Sequence, residues 1–214
     1  MYMRILAVAD KRHRALYDYF DKNRWADVDL VLSCGDLDAA YLSFLVTMIN
    51  APLLYVPGNH DEAYKKNPPQ GCDSIDGKVV KVKGIRVGGL GGSMWYNGKD
   101  LQFTEKQMSK KVRKLIRSAH KFRGIDIFIS HAPPRGIHDL TDQCHTGFSA
   151  FHQIIEKLNP AFFLHGHNHE VYSRNDRETV VAGVRVINVL GYYDFILDAR
   201  SRAFLFFKRN GRLV

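Results

Sequence analysis

Short runs of apolar residues recur along the chain and constrain its architecture. The first three runs, residues 4–9, 29–33 and 53–56, lack polar–apolar alternation, which is typical of strands buried on both faces. Two segments with helical spacing, residues 13–24 and 38–49, lie between these runs. Strands that alternate with helices in this way predict a parallel sheet covered by helices, and therefore an α/β fold.

The sequence after residue 56 predicts further strands and helices. In chain order these are strands 79–82 and 85–87, helix 104–121, strand 125–129, helix 148–158, strand 161–164, strands 180–181 and 184–187, and strands 196–197 and 204–207. The three strand pairs in this series are separated by short turn sequences and are expected to form hairpins. Since no linker or fixed repeat interrupts the series, residues 1–214 are predicted to form a single domain.

Composition excludes several classes of protein. Apolar residues make up 45% of the 214-residue chain, which excludes disordered and low-complexity chains. No apolar run reaches the ~18 residues that cross a bilayer, and the first residues do not resemble a signal peptide. Three cysteines are too few for a disulfide framework. We therefore expect a cytoplasmic protein without membrane contacts.

Several predicted strands end in a side chain that can bind a metal ion. These side chains are Asp10, Asp36, Asn59 with His60, His131, and His167 with His169. Because ligands of open α/β sheets bind at the carboxyl ends of the strands, we expect these residues to meet at one edge. Each residue alone is typical of an ordinary cap or turn, but the ordered set indicates a site for Mn, Fe, Zn or Ni ions. Two such ions ~3.5–4 Å apart suit phosphoryl transfer, and the net charge of +9 favours an anionic substrate.

Five short motifs contain these residues. They are Asp10-Lys11-Arg12, Gly35-Asp36, Gly58-Asn59-His60-Asp61, Ser130-His131-Ala132-Pro133-Pro134 and Gly166-His167-Asn168-His169-Glu170. In this order they resemble the motifs of the calcineurin-like metallophosphoesterase superfamily, over about residues 4–198. The resemblance implies a four-layer α/β/β/α sandwich of two mixed sheets flanked by helices. It also implies hydrolysis of a phosphate ester by a metal-activated hydroxide.

The resemblance also implies a role for each site residue. Asp36 would bridge two divalent metal ions. The second ion would be completed by Asn59, His131 and His167, and the first by Asp10 and His169. His60 would stabilise the transition state or protonate the leaving oxygen, and Asp61 would orient His60. The expected substrate is a small phosphodiester or phosphomonoester.

The first motif departs from the family, because Arg12 stands where the family usually has His. A guanidinium has no free lone pair and cannot ligate a cation. Three interpretations follow: His13 replaces the missing ligand, the first ion is weakly held and completed by water, or Arg12 lies near Asp10 or a substrate phosphate. Our hypothesis is an asymmetric centre with a tight second ion and a weak first ion, and with Arg12 as a candidate substrate-binding residue.

Two alternative functions come from other features. Residues 106–123 contain eight Lys or Arg residues on a predicted amphipathic helix, which indicates either a solvated cover helix or contact with nucleic acid, as in a nuclease. Loss of the first-motif His is also compatible with a low-activity metal-binding scaffold or regulatory protein. The retention of His60 beside Asn59 and Asp61 favours the enzyme over the scaffold. The sequence gives no oligomeric state.

Overall fold

The computed structural model describes residues 2–170, 177–198 and 204–205. Its strands are β1 (Tyr2–Ala9), β2 (Val28–Ser33), β3 (Leu53–Tyr55), β4 (Asp73–Ser74), β5 (Val79–Val82), β6 (Ile85–Leu90), β7 (Ser93–Met94), β8 (Gln102–Phe103), β9 (Ile127–Ser130), β10 (Phe162–His165), β11 (Glu178–Val181), β12 (Val184–Asn188), β13 (Gly191–Asp198) and β14 (Phe204–Leu205). Its α-helices are α1 (Lys22–Trp25), α2 (Ala39–Ile49), α3 (Glu105–Lys121) and α4 (His152–Leu158). Single turns of 3-10 helix form at Arg14–Leu16, Glu62–Lys65 and Ser149–Phe151.

Two six-stranded sheets contain most of the strands. The first has the order β14-β13-β1-β2-β3-β4, and the second has the order β11-β12-β10-β9-β6-β5. Strands β1, β2 and β3 run parallel, as do β6, β9, β10 and β12, while β13 pairs antiparallel with β1 and the hairpins occupy the edges. Both sheets are therefore mixed, with parallel strands at their centres.

The central strands are buried on both faces, and this burial builds the layers. Ile5 and Ala7 of β1 join a core that also contains Ile127 of the second sheet, so this core lies between the sheets. Leu6 and Val8 alternate to the opposite face, where they pack in a cluster with residues of α2. A third cluster joins α3 and α4 to the outer face of the second sheet. The order helix, sheet, sheet, helix confirms the predicted four-layer α/β/β/α sandwich.

Helix α3 begins and ends as its sequence predicts. The Thr104 side chain accepts a hydrogen bond from the Gln107 backbone N–H, and the Gln107 side chain accepts one from the Thr104 N–H, which forms a capping box. Met108, Val112 and Leu115 lie on the buried face of the helix. The basic residues of the same helix are left on the solvent side.

The predicted helix over residues 13–24 is wrong. The segment forms a 3-10 turn at Arg14–Leu16 and the short helix α1 instead. The His13 and Asp21 side chains accept hydrogen bonds from backbone N–H groups two residues further on, so each starts a separate turn. Residues 206–207 of the last predicted hairpin lie outside the described residues. Among the described residues, no helix combines the length and apolar character needed to cross a membrane.

Candidate metal centre

The polar residues that follow the parallel strands meet at one edge of the sandwich. Asp10 follows β1, Asp36 follows β2, and His131 follows β9. The Asp10 N–H donates to the Gly35 carbonyl at 3.1 Å, and the Asp10 carboxylate accepts from the His167 N–H at 3.0 and 3.1 Å. These bonds connect the ends of strands from both sheets, which explains how residues 157 positions apart become neighbours.

Close backbone packing at this edge depends on glycine. A Cβ atom on Gly58 would lie 2.0 Å from the Asp36 Oδ1 atom, and one on Gly35 would lie 2.4 Å from the Gly58 nitrogen. Gly35 has a φ of +93°, and Asp36 itself adopts a φ of 56°. The Gly-Asp and Gly-Asn-His-Asp motifs therefore fix the Asp36 carboxylate against the β3 loop for steric reasons.

A compact cluster forms around the His131 ring. Ligand atoms of Asp36, His131 and His167 all lie within 4.8 Å of one another. The His131 Nε2 atom is 3.0 Å from the Asn59 Oδ1 atom and 3.3 Å from the Asp36 Oδ2 atom. The His131 side chain is fully buried, and His167 and Asn59 are nearly so. Each of the four residues expected at the second ion thus lies close to at least one of the others.

The hydrogen bonds behind this cluster leave its ligand atoms free for a cation. The His131 Nδ1 atom donates to the Cys34 carbonyl at 2.9 Å, and the His167 Nε2 atom donates to the Cys144 carbonyl at 2.6 Å. The Asn59 amide nitrogen donates to the Tyr96 hydroxyl at 3.3 Å, which turns Asn59 Oδ1 toward His131. The His131 Nε2 atom therefore meets two oxygens that can only accept, so a proton or a metal ion must lie between them.

Protonation in this cluster follows from the same contacts. Burial by itself would lower the pKa of His131, but the Asp36 carboxylate outweighs burial and raises that pKa to about 9. Burial likewise opposes ionisation of Asp36, yet the His131 charge and hydrogen bond lower the pKa of Asp36 well below its usual range. Burial, together with the His131 charge, lowers the pKa of His167 to about 3. Without metal, the cluster is therefore an imidazolium–carboxylate pair beside a neutral imidazole, and a divalent cation fits in place of the proton.

The residues expected at the first ion are less closely gathered. The His169 Nε2 atom lies 3.6 Å from the Asp10 Oδ1 atom, with the His169 side chain 51% exposed and the Asp10 side chain fully buried. Both Asp10 oxygens also accept from the His167 N–H. Of the described residues, Asp10 and His169 form a pair without a third His, Cys, Asp or Glu close enough to complete a cluster.

Neither Arg12 nor His13 fills the gap beside Asp10. The Arg12 guanidinium is turned toward Asp38, whose Oδ2 atom accepts from Arg12 Nε at 2.6 Å, and it lies over the Tyr17 ring. The hydrogen bond that Arg12 donates to Asp38 raises the pKa of Arg12. The His13 Nδ1 atom accepts from the Ala15 N–H at 3.2 Å instead of facing Asp10. Two of the three interpretations are compatible with these contacts. One is a weakly held first ion completed by water, and the other is contact between Arg12 and a substrate phosphate.

His60 and Asp61 are adjacent in sequence but differ in exposure to solvent. The His60 N–H donates to the Asp36 Oδ1 atom at 2.9 Å, and the side chain of His60 is exposed. The buried Asp61 carboxylate accepts from the N–H groups of Asp36 and Gly58, at 2.8 and 2.7 Å. Burial raises the pKa of Asp61 to about 6. The Asp61 Oδ2 atom therefore fixes the backbone of the loops that carry Asp36 and Gly58, while the orientation of the His60 ring by Asp61 stays a prediction.

Sequence reasoning did not assign some of the residues that support the centre. Tyr96 orients Asn59, and the His145 ring packs at a tilt against the His167 ring with centroids 5.1 Å apart. His138 Nδ1 lies 3.0 Å from His165 Nε2, and His165 Nδ1 lies 2.9 Å from the Gly166 carbonyl oxygen. No spacing rule predicts such long-range contacts. The one available signal was the unusual number of histidines between residues 131 and 169.

Comparisons with known proteins agree with this geometry. The family model for calcineurin-like phosphoesterases matches residues 3–171. The uncharacterized protein MJ1162 of Methanocaldococcus jannaschii is 30% identical over 194 residues, which cover 79% of this chain and 81% of that protein.

Solved structures with low sequence identity share the fold. One chain, 16% identical, covers 95% of this chain and 98% of its own length with a TM-score of 0.66. GAP50, the anchor in the inner membrane complex of Plasmodium, is 11% identical and has a TM-score of 0.52, with 94% of this chain and 86% of that chain covered. At these identities the likeness concerns the fold alone.

Proposed function

Because the chain belongs to the calcineurin-like phosphoesterase family, we propose that it hydrolyses a small phosphodiester or phosphomonoester at the edge formed by Asp36, His131 and His167. The proposal includes two divalent ions, Mn, Fe, Zn or Ni, with the second held tightly and the first weakly. The single observation that carries it is that Asn59 Oδ1 and Asp36 Oδ2 lie 3.0 and 3.3 Å from His131 Nε2. Three atoms with lone pairs at these distances suit a borderline divalent cation.

The proposed reaction depends on what each residue of this chain does. When bound, a divalent ion lowers the pKa of water and neutralises charge on phosphate. Asp36, Asn59, His131 and His167 would hold the second ion, and the carbonyls of Cys34 and Cys144 orient the two imidazole rings. Asp10 and His169 would hold the first ion, with Asp36 as a further candidate ligand.

His60 is the proposed acid or transition-state stabiliser. The His60 backbone N–H donates a hydrogen bond to Asp36, so the imidazole ring is attached close to the proposed metal ligands. The His60 side chain is exposed, so a substrate can reach it. A protonated imidazole in this place donates to a phosphate oxygen or to the leaving oxygen. Asp61 acts as a positioning residue, since it holds the backbone that carries both Asp36 and His60.

The same observations support the remaining parts of the proposal. A core shared by both sheets favours a single domain for this chain. All three cysteines are free, which is usual in a reducing compartment and favours the cytoplasm. Arg12 is half-exposed beside Asp38, so it is a candidate contact for a substrate phosphate.

A panel of metals and substrates tests the proposal. Wild type and His60→Ala are assayed with Mn, Fe, Zn and Ni on bis-p-nitrophenyl phosphate, p-nitrophenyl phosphate and cyclic nucleotides. We expect His60→Ala to lose ~100- to 10,000-fold in kcat, as for other positioned acids, and to keep its metal content. If the wild type shows no turnover above this variant with any metal, the chain is a metal-binding scaffold and the enzyme proposal fails.

A further inference from the structure

Six cations of α3 form a line along its solvent side. This cationic stripe consists of Lys106, Lys110, Arg113, Lys114, Arg117 and Lys121. All six residues are exposed, and they recur at intervals of three or four residues, which places them on one face of the helix. At a rise of 1.5 Å per residue the stripe spans about 22 Å.

The stripe has no acidic partners in the part of the chain that the structure describes. None of its six side chains forms an ion pair or a hydrogen bond there, whereas Lys111, beside the stripe, binds Asp76 at 3.0 Å. The one acid of α3, Glu105, accepts hydrogen bonds from the backbone N–H groups of Ser149 and Ala150 and is directed away from the stripe. Within the described residues, the positive charge of the stripe therefore has no acidic partner at ion-pair distance.

An uncompensated stripe works against the helix that carries it. Four like-charged pairs stand at a spacing of four residues: 106 with 110, 110 with 114, 113 with 117, and 117 with 121. Such pairs destabilise a helix, whereas alternating acids and bases would stabilise it. A helix that served only to cover the core would not need this arrangement. An anionic partner removes the repulsion.

The chemistry of the stripe selects among anionic partners. A bilayer-binding helix offers its apolar face to the lipid, but Met108, Val112 and Leu115 of α3 are buried in the core. Among the described residues, the large apolar side chains that are exposed all lie outside α3, so the helix has no platform for stacking unpaired bases. Lys and Arg side chains neutralise phosphates, and phosphate contacts carry no sequence information.

We propose that the cationic stripe binds the phosphate backbone of a nucleic acid duplex without sequence preference. The inference goes beyond the proposed function, because it concerns binding and does not require catalysis. The first turn of α3 is joined to the segment that leads to the candidate metal centre. Glu105 accepts a hydrogen bond from the Ser149 N–H, and the ring of His145, four residues before Ser149, packs against that of His167.

Salt-dependent binding of the full chain tests this proposal. The probe is a fluorescein-labelled DNA duplex of about 20 base pairs, measured by fluorescence polarisation in EDTA at several salt concentrations from about 50 mM upward. The test variant is Lys110→Gln/Lys114→Gln/Arg117→Gln. We expect it to bind about tenfold or more weakly at the lowest salt and to reduce the log–log salt slope by about 2.7, because each lost phosphate contact removes about 0.9.

A matched control separates the stripe from net charge. Lys22→Gln/Lys81→Gln/Lys157→Gln removes the same charge from exposed lysines on α1, β5 and α4, and it is expected to bind as the wild type does. The stripe variant should melt at the same or a higher temperature, because it removes all four repulsive pairs, and both variants should keep any activity on small substrates. The proposal fails if wild type does not bind at low salt, if the control weakens equally, or if the stripe affects binding to phosphatidylserine vesicles but not to the duplex.

Discussion

The two halves of the proposed two-metal centre differ in how firmly the fold holds their candidate ligands. Around the second ion, Asn59, His131 and His167 are buried and each has a partner outside the cluster that fixes its orientation. Around the first ion, His169 is half-exposed, and Asp10 shares its oxygens with a backbone N–H. Preorganised ligands lose little conformational freedom when they bind, so the second ion should bind more tightly.

The difference also shows what the Arg12 substitution does. A His at this position would add a nitrogen to the first ion, but Arg12 forms an ion pair with Asp38, at the N-cap of α2. The guanidinium thus binds at the N-terminus of α2 instead of lying among the proposed metal ligands. The asymmetry of the proposed centre is therefore a property of the chain's own side chains, and three experiments test it.

The largest effect is expected from His131→Ala compared with His169→Ala. His131→Ala should lose the second ion and about 1,000-fold in kcat, since a metal ion supplies several kcal/mol of transition-state stabilisation. His169→Ala should retain that ion and lose less activity. Metal content by mass spectrometry and kcat on bis-p-nitrophenyl phosphate measure the difference, with thermal melts to verify folding. Equal losses in the two variants would contradict the asymmetry.

The next largest effect is the pH dependence of metal affinity. Since Asp36 raises the pKa of His131 to about 9, a metal ion must displace one proton, and its affinity should rise up to about tenfold per pH unit until pH 9. For the metal-free protein, the stabilisation from this raised pKa is complete below about 6.5 and disappears as the pH rises through 9. Titration with Mn²⁺ between pH 6.5 and 9 measures the affinity. A flat profile would mean that His131 is already neutral.

The smallest effect is expected from restoring a His at the first motif. Arg12→His supplies a ring nitrogen near Asp10 and His169 and should tighten the first ion by about tenfold, in the range seen when metal-site partners are changed. The gain is limited because residue 12 now points toward Asp38. Arg12→Ala is the control, since it breaks the same ion pair without adding a ligand. Calorimetric titration gives both stoichiometry and affinity. If the two variants behave alike, position 12 lies too far from the ion.

Parts of the fold were predictable because local patterns determine them. The capping box of α3 and its buried face follow from spacing alone, and the uninterrupted apolar runs predicted the central strands. The segment after Asp10 was not predictable in the same way. Its helical spacing was outweighed by side-chain caps at His13 and Asp21 and by the contact of Arg12 with Asp38, a residue 26 positions away.

The order of the motifs along the chain was enough to predict which residues gather at the proposed centre, because the ends of parallel strands must meet at one edge of a sheet. How firmly each residue is held depends on contacts in the folded chain. Burial and the carbonyls of Cys34 and Cys144 orient His131 and His167, while the Asp61 Oδ2 atom accepts from two backbone N–H groups. Such partners are chosen by distance and desolvation between segments far apart in the chain, and no local pattern contains that information.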